Sequence, residues 1–179
     1  MSAPATPRTG QGPFEPSRPA RWPDEIEPSE VQNPVIRKGW EMWNRLKGER
    51  LYPARDELSP RVLRGLSRHI ALVKVIDGGR EFEFRVIGDA IVMAQGASHQ
   101  GWSMAKLEEA MPGSGKRLLD VYGRVAATGR PAAFRGALIR EHDGLMLVRE
   151  SLILPLGAAG VDHILAILVY SDRPDALLH

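Results

Sequence analysis

Two stretches in the middle of the chain have the hydrophobic pattern of β-strands. Residues 69–76 are rich in β-branched side chains, and residues 81–87 alternate apolar and charged positions with period two. Asp77-Gly78-Gly79 separates them and is a typical turn sequence. The pattern predicts an antiparallel hairpin whose second strand has three apolar residues on one face: Phe82, Phe84 and Val86.

Three more strands are predicted in the last third of the chain, over residues 132–140, 145–154 and 163–170. Glycine-containing turns separate them. Residues 164–169 are apolar at every position, whereas a strand with one solvated face alternates. We therefore expect the last strand to be central and covered on both faces.

Helical spacing of apolar residues predicts an amphipathic helix over residues 34–48, with Asn33 as its N-cap and Gly48 at its end. Shorter helices are expected over 89–95 and after Trp102, and a longer one over 116–128. The order predicts an α+β fold: a five-stranded antiparallel sheet with helices inserted between strands 2 and 3, plus the N-terminal amphipathic helix.

The first 34 residues contain eight of the fourteen prolines and few aliphatic side chains. This composition predicts a disordered Pro-rich tail over residues 1–34. The folded domain is expected over residues 35–172, including the helix at 34–48, with a short C-terminal tail at 173–179.

Composition excludes several kinds of chemistry. The chain has no cysteine, which removes disulfides, thiolate nucleophiles and cysteine-based metal sites. It has no apolar run of the ~20 residues needed to span a bilayer and no signal-peptide core, so we expect a cytoplasmic protein. The net charge is only +2, but residues 35–68 carry nine cations and four acids, a local charge of +5.

No catalytic constellation emerges from the motifs. Residues 113–117, Gly-Ser-Gly-Lys-Arg, resemble a phosphate-binding loop, but Ala110 replaces the first glycine and Arg117 the hydroxyl residue. The five histidines lack the spacing of a metal site, and no Gly-x-Ser-x-Gly elbow is present. We expect a protein that is not an enzyme and has no metal site.

Several segments in this order resemble the PAS domain, especially a bacterial subfamily of small proteins that consist mostly of one such domain. The resemblance spans residues 35–172 and rests on Trp40 with Leu46 and on five further segments. These are Pro-Ala-Arg-Asp-Glu-Leu-Ser-Pro at 53–60, Phe-Glu-Phe-Arg-Val-Ile-Gly at 82–88, Gly-Ala-Ser-His-Gln-Gly at 96–101, Val-Ala-Ala-Thr-Gly-Arg-Pro at 125–131 and Glu-Ser-Leu-Ile-Leu-Pro-Leu at 150–156.

The resemblance implies a sensory or regulatory module that acts by protein–protein interaction, with or without a small ligand between sheet and helices. Nine residues follow Tyr170, too few for an output domain, so we expect the chain to bind a signalling protein. The cofactor is unknown. Haem is disfavoured because PAS domains that bind haem typically ligate the iron through a histidine on the long helix, and residues 116–128 contain none, which leaves His99 as the nearest substitute. Cysteinyl–flavin chemistry is disfavoured because cysteine is absent.

The ligand-pocket candidates are Phe84, Val86, Met93, Trp102, Tyr122 and Val125; the alternative is that these residues simply form the core. Charged strand residues, among them Arg135, Arg149 and Glu150, must be paired wherever their side of the sheet is covered.

Interaction-surface candidates lie on the N-terminal helix: Trp40, Trp43, Arg37, Lys38 and Arg45. The two tryptophans are expected to pack on the fold, with a homodimer contact as the alternative, and the protein is expected to be a homodimer. A second hypothesis is that the basic segment binds a nucleotide second messenger or nucleic acid, although the low net charge disfavours nucleic acid. Its phosphate-binding residues would be Arg37, Lys38, Arg45, Arg50, Arg55, Arg61 and Arg64.

Overall fold

The computed structural model describes residues 23–139 and 146–172, which form an antiparallel sheet with helices on both faces. The strands are β1 (Asp24–Ile26), β2 (Ile70–Ile76), β3 (Glu81–Ile87), β4 (Ala132–Ile139), β5 (Met146–Leu156) and β6 (His163–Ser171). The helices are α1 (Pro34–Lys47), α2 (Asp89–Gln95), α3 (Met104–Ala110) and α4 (Ser114–Thr128). The predicted fold class is confirmed, including the inserted helices: α2, α3 and α4 follow the β2–β3 hairpin and precede β4.

The sheet has six strands in the order β1-β4-β5-β6-β2-β3, one more than predicted. The additional strand, β1, comes from the segment expected to be a disordered tail, and it pairs with β4 so that Glu25 lies opposite Phe134. Val31, a few residues later, is buried. The expectation of disorder was therefore wrong for residues 23–33, while residues 1–22 lie outside the described residues. The composition of the segment does not predict this strand, because the strand forms by pairing with a partner more than a hundred residues away.

Strand β6 lies between β5 and β2 and is covered on both faces, as its apolar sequence predicts. Ile164 and Ala166 belong to the core formed with α2, α3 and α4. Leu165 and Ile167 belong to a second core beneath α1. The face of the sheet that packs against α2, α3 and α4 is called the inner face, and the face beneath α1 is called the outer face.

Helix α1 begins and ends as its capping residues predict. The Asn33 side chain accepts a hydrogen bond from the Val35 N–H at 2.9 Å, and Gly48 has a positive φ of 55°. Gly39 brings the helix close to the sheet, because a Cβ at this position would lie 2.1 Å from Cδ1 of Ile167. The helix therefore packs directly on β5 and β6.

The β2–β3 hairpin contains a bulge that changes which residues share a face. Leu72 lies opposite Val86, but Val73 lies opposite Phe84, so Arg85 is an additional residue in β3. The alternation of side chains therefore reverses beyond Phe84. Val86 lies beside Leu72 on the outer face, and the prediction that it shares a face with Phe82 and Phe84 was wrong.

Candidate functional site

Four of the six ligand-pocket candidates meet on the inner face of the sheet. Phe84 from β3 and Tyr122 and Val125 from α4 are buried in one core, and Trp102, which precedes α3, packs against it. The Tyr122 ring makes an edge contact with Phe82, with 5.6 Å between the ring centroids. The structure thus brings Phe84, Trp102, Tyr122 and Val125 into one region between the sheet and the inserted helices.

The other two pocket candidates lie outside this region. Val86 is 45% exposed, because the bulge turns it to the outer face, and Met93 is 69% exposed. In α2 the buried residue is Ile91. Met93 comes two residues later, about 200° around the helix, and so faces away from the sheet. Neither residue can line a pocket on the inner face.

Polar groups accompany this apolar region. Arg149 and Ser151 alternate with Ile153 along β5, and Ile153 is a member of the inner core, so all three share that face. Burial raises the pKa of the Tyr122 phenol far above its ordinary value, although the positive charge of Arg149 acts in the opposite direction. The phenol therefore stays protonated and can donate a hydrogen bond on the inner face.

His99 lies at the edge of the same region. It is 9% exposed and makes an edge contact with Trp102, with centroids 4.8 Å apart. The ammonium group of Lys106 lies 4.6 Å from the centre of the Trp102 ring. Burial lowers the pKa of the His99 imidazole, so the side chain is neutral at pH 7.

The interaction candidates on α1 divide into an exposed and a buried group. Arg37, Lys38 and Arg45 are exposed, and Trp40 is half-buried. Trp43 is only 2% exposed, and its indole N–H donates to the Pro155 carbonyl at 3.0 Å. Trp43 therefore belongs to the outer core, and its assignment to an interaction surface was wrong.

The two tryptophans stack on each other, with ring centroids 5.6 Å apart and planes inclined by 11°. They are three residues apart on α1, which places them on neighbouring positions of one helix face. Packing on the fold, the first of the two expected roles, accounts for Trp43. Of the two tryptophans, only Trp40 is accessible to a dimer contact.

A buried ion pair holds the N-terminal end of α1 on the sheet. Glu150 of β5 is 1% exposed, and its carboxylate accepts the Arg135 Nε–H at 2.8 Å. The same carboxylate accepts the backbone N–H groups of Gln32 and Asn33, each at 2.9 Å. Arg135 in turn donates to the Glu30 carbonyl at 2.6 Å. The expectation that charged strand residues are paired where the sheet is covered is confirmed for this pair.

Three arginines of the basic segment that includes α1 are neutralised locally. Arg50 donates to both carboxylate oxygens of Glu57, at 2.8 and 2.9 Å. Arg55 pairs with the adjacent Asp56 at 3.2 Å. Arg68 pairs with Asp89 at 3.1 Å. These residues contribute little net charge to a ligand surface.

Neither a metal site nor a transmembrane helix is found in residues 23–139 and 146–172. Within these ranges, no three His, Asp or Glu side chains converge in a group that could hold a metal ion. The helices of the same ranges are too short or too polar to cross a membrane.

Comparison with known proteins matches the chain to one domain family. The family model of the PAS domain matches residues 20–169, which is most of the chain. No curated protein matches it. Among solved structures, it is similar to the PAS domain of BvgS from Bordetella pertussis, with 14% identity over 69% of this chain and 91% of the other, at a TM-score of 0.49.

Two further structures are similar at lower scores. The PAS domain of an HTR-like protein from Haloarcula marismortui shares 18% identity, covering 65% of this chain and 93% of the other, at a TM-score of 0.38. A light-oxygen-voltage domain studied with a flavin analogue shares 11% identity, covering 66% of this chain and 87% of the other, at a TM-score of 0.46.

An antiparallel sheet with inserted helices on one face and a capped helix on the other defines a mixed α and β domain. With the match over residues 20–169, the chain belongs to the PAS domain family. The PAS fold is that of a sensory or signalling module.

Proposed function

We propose that this chain is a regulatory PAS module that signals by binding another protein and catalyses no reaction of its own. The observation that carries the proposal is the position of α1. It packs on the outer face of the sheet and turns Arg37, Lys38 and Arg45 to solvent. A partner bound to this helix would contact the element that lies directly against the central strands β5 and β6.

The proposal includes a site for a small ligand on the inner face, among Phe84, Trp102, Tyr122 and Val125. An apolar region with a few polar groups is the usual setting for small-molecule binding. The protonated Tyr122 phenol and Ser151 supply such groups. A packed core with no ligand remains the alternative, and native mass spectrometry of the purified protein distinguishes the two.

We also propose a cytoplasmic location and a homodimer, with Trp40 at the dimer contact. The half-exposed Trp40 ring on the solvent side of the outer core supports the homodimer. Light scattering of the wild-type chain and Trp40→Ala over a range of concentrations tests it. A monomer at every concentration would exclude the dimer, without affecting the proposed contact with a partner protein.

Site-specific photo-crosslinking tests the main proposal. A photoreactive amino acid replaces Glu41, which is exposed in the middle of α1. The control position is Arg80, which is exposed in the β2–β3 turn. We expect a protein to be cross-linked in the native cells from position 41 and not from position 80. Equal cross-linking from the two positions, or none from position 41, rejects α1 as the contact.

A further inference from the structure

The exposed side of α1 continues into a second basic segment. Residues 59–66 form a series of turns next to the helix, and the Lys38 ammonium group donates to the Arg64 carbonyl at 3.0 Å. This hydrogen bond joins the two segments into one surface. Its cations, all exposed, are Arg37, Lys38, Arg45, Arg61 and Arg64, and they are called the basic surface below.

The five cations differ from the other arginines of the region in their charge partners. Arg50, Arg55 and Arg68 each form an ion pair with a carboxylate. Among the described residues, no carboxylate forms an ion pair with any cation of the basic surface. The fold thus neutralises one set of arginines and leaves the other set available to an external anion.

The charge is concentrated on this surface. The five cations of the basic surface and Glu41, the acid that lies among them on α1, give a net charge of +4. The whole chain carries +2, so all other residues together carry −2. Such an asymmetry steers an oppositely charged partner toward one side of the molecule and raises the rate of association.

The backbone that presents these cations is anchored in the outer core. Ile36 and Trp43 are buried beneath α1, and Leu66 is buried beneath the turns. Because apolar side chains fix both segments from below, a partner need not order the backbone when it binds. Less conformational entropy is lost on binding a preorganised surface of this kind.

Resting on the function proposed above, we infer that the basic surface binds an acidic surface of the partner protein. Glu41 favours a protein over a nucleic acid, because a protein can place a cation opposite it whereas a phosphate backbone cannot. Stacking platforms for bases are also poor here: Trp43 is buried, and one face of Trp40 is covered by Trp43.

Binding of defined anions to the full chain tests the partner chemistry. The probes are fluorescein-labelled poly-L-glutamate and a single-stranded oligodeoxynucleotide of equal charge, measured by fluorescence anisotropy at rising NaCl concentration. The test variant is Arg37→Glu/Arg61→Glu. The control, Arg80→Glu/Arg130→Glu, changes the net charge equally at exposed positions outside the surface.

We expect poly-L-glutamate to bind the wild type and the control alike, about tenfold more tightly than the test variant. The difference should shrink as salt screens the charges. Equal affinity of the test variant and the wild type overturns the inference, and so does an equal loss in both variants. Tighter binding of the oligonucleotide than of poly-L-glutamate overturns it in favour of a nucleic-acid ligand.

The protein cross-linked from position 41 separates this inference from the proposed function. If that protein binds the purified wild type and the test variant equally, contact with α1 is retained and the acidic character of the partner is rejected. If no protein is cross-linked while poly-L-glutamate binding still depends on Arg37 and Arg61, the proposed function fails and the anion-binding property of the surface remains.

Discussion

Glu150 is the residue whose replacement tests most directly how α1 is held on the sheet. Its buried carboxylate accepts one hydrogen bond from Arg135 and two from the backbone at Gln32 and Asn33. Asn33 is the N-cap of α1, so the negative charge also lies at the positive end of the helix dipole. Glu150→Ala removes this charge and leaves three N–H donors without their acceptor.

Breaking a buried ion pair by removing one partner costs about 3–5 kcal/mol, because the remaining charge stays desolvated. Glu150→Gln retains the shape and an acceptor oxygen, so we expect a smaller loss of about 1–3 kcal/mol. Arg135→Met/Glu150→Leu removes both charges and should be less destabilising than Glu150→Ala. The order of stability is therefore wild type, then Glu150→Gln, then Glu150→Ala.

Equilibrium urea unfolding measures these differences, and hydrogen exchange locates them. Backbone amides of residues 24–38 should lose more protection in Glu150→Gln than those of the central strands β5 and β6, which should lose only what the fall in global stability accounts for. A loss below about 1 kcal/mol in Glu150→Ala would refute the assigned role of the ion pair. So would faster exchange spread evenly over the sheet, since that reports global destabilisation and not release of α1.

Three further predictions concern the inner side of the sheet. A Cβ on Gly115 would lie 2.2 Å from the Met104 carbonyl oxygen, so Gly115→Ala should lower the free energy of unfolding by about 1–3 kcal/mol, measured by thermal unfolding. In the control Gly123→Ala, on the same helix, the nearest neighbour of the added Cβ would lie at 3.9 Å, so stability should be unchanged or higher. Because burial raises the pKa of Tyr122, only the unfolded phenol ionises near pH ~10, and the free energy of unfolding should fall as the pH rises above that value. A wild type that loses no more stability above pH ~10 than Tyr122→Phe loses would contradict this. Because burial lowers the pKa of His99, stability should decrease as the pH falls below about 6.5, and an NMR titration of the imidazole with a midpoint at or above that value would disprove it.

Local sequence signals predicted the elements on which the candidate sites are built. Asn33, Pro34 and Gly48 bound α1 because capping depends on neighbouring residues only. The Asp77-Gly78-Gly79 turn forms because its residues adopt positive φ angles, of 48°, 66° and 94°. The grouping of Phe84 with Tyr122 and Val125 followed from the resemblance to the PAS domain, which supplied the long-range arrangement that periodicity alone lacks.

The errors occurred where a distant contact overrides the local pattern. Strand β1 has the composition of a tail and forms because β4 offers it a pairing edge. Val86 follows the period of Phe82 and Phe84 in sequence, but the bulge at Arg85 turns it to the opposite face. Trp43 looks like Trp40 in the sequence pattern, yet packing buries Trp43 in the outer core, where its indole N–H donates to the Pro155 carbonyl, and leaves Trp40 half-buried.

By itself, the sequence determined the order of the helices and of the last five strands, the central place of β6 and the excess of positive charge between residues 35 and 68, since each depends on composition or on neighbours along the chain. Tertiary structure alone decided which of those charges remain available. Arg50, Arg55 and Arg68 pair with carboxylates, and Arg61 and Arg64 are left beside α1. The physical reason is that ion pairing depends on distances of a few ångströms in space, and the folded path of the backbone sets those distances.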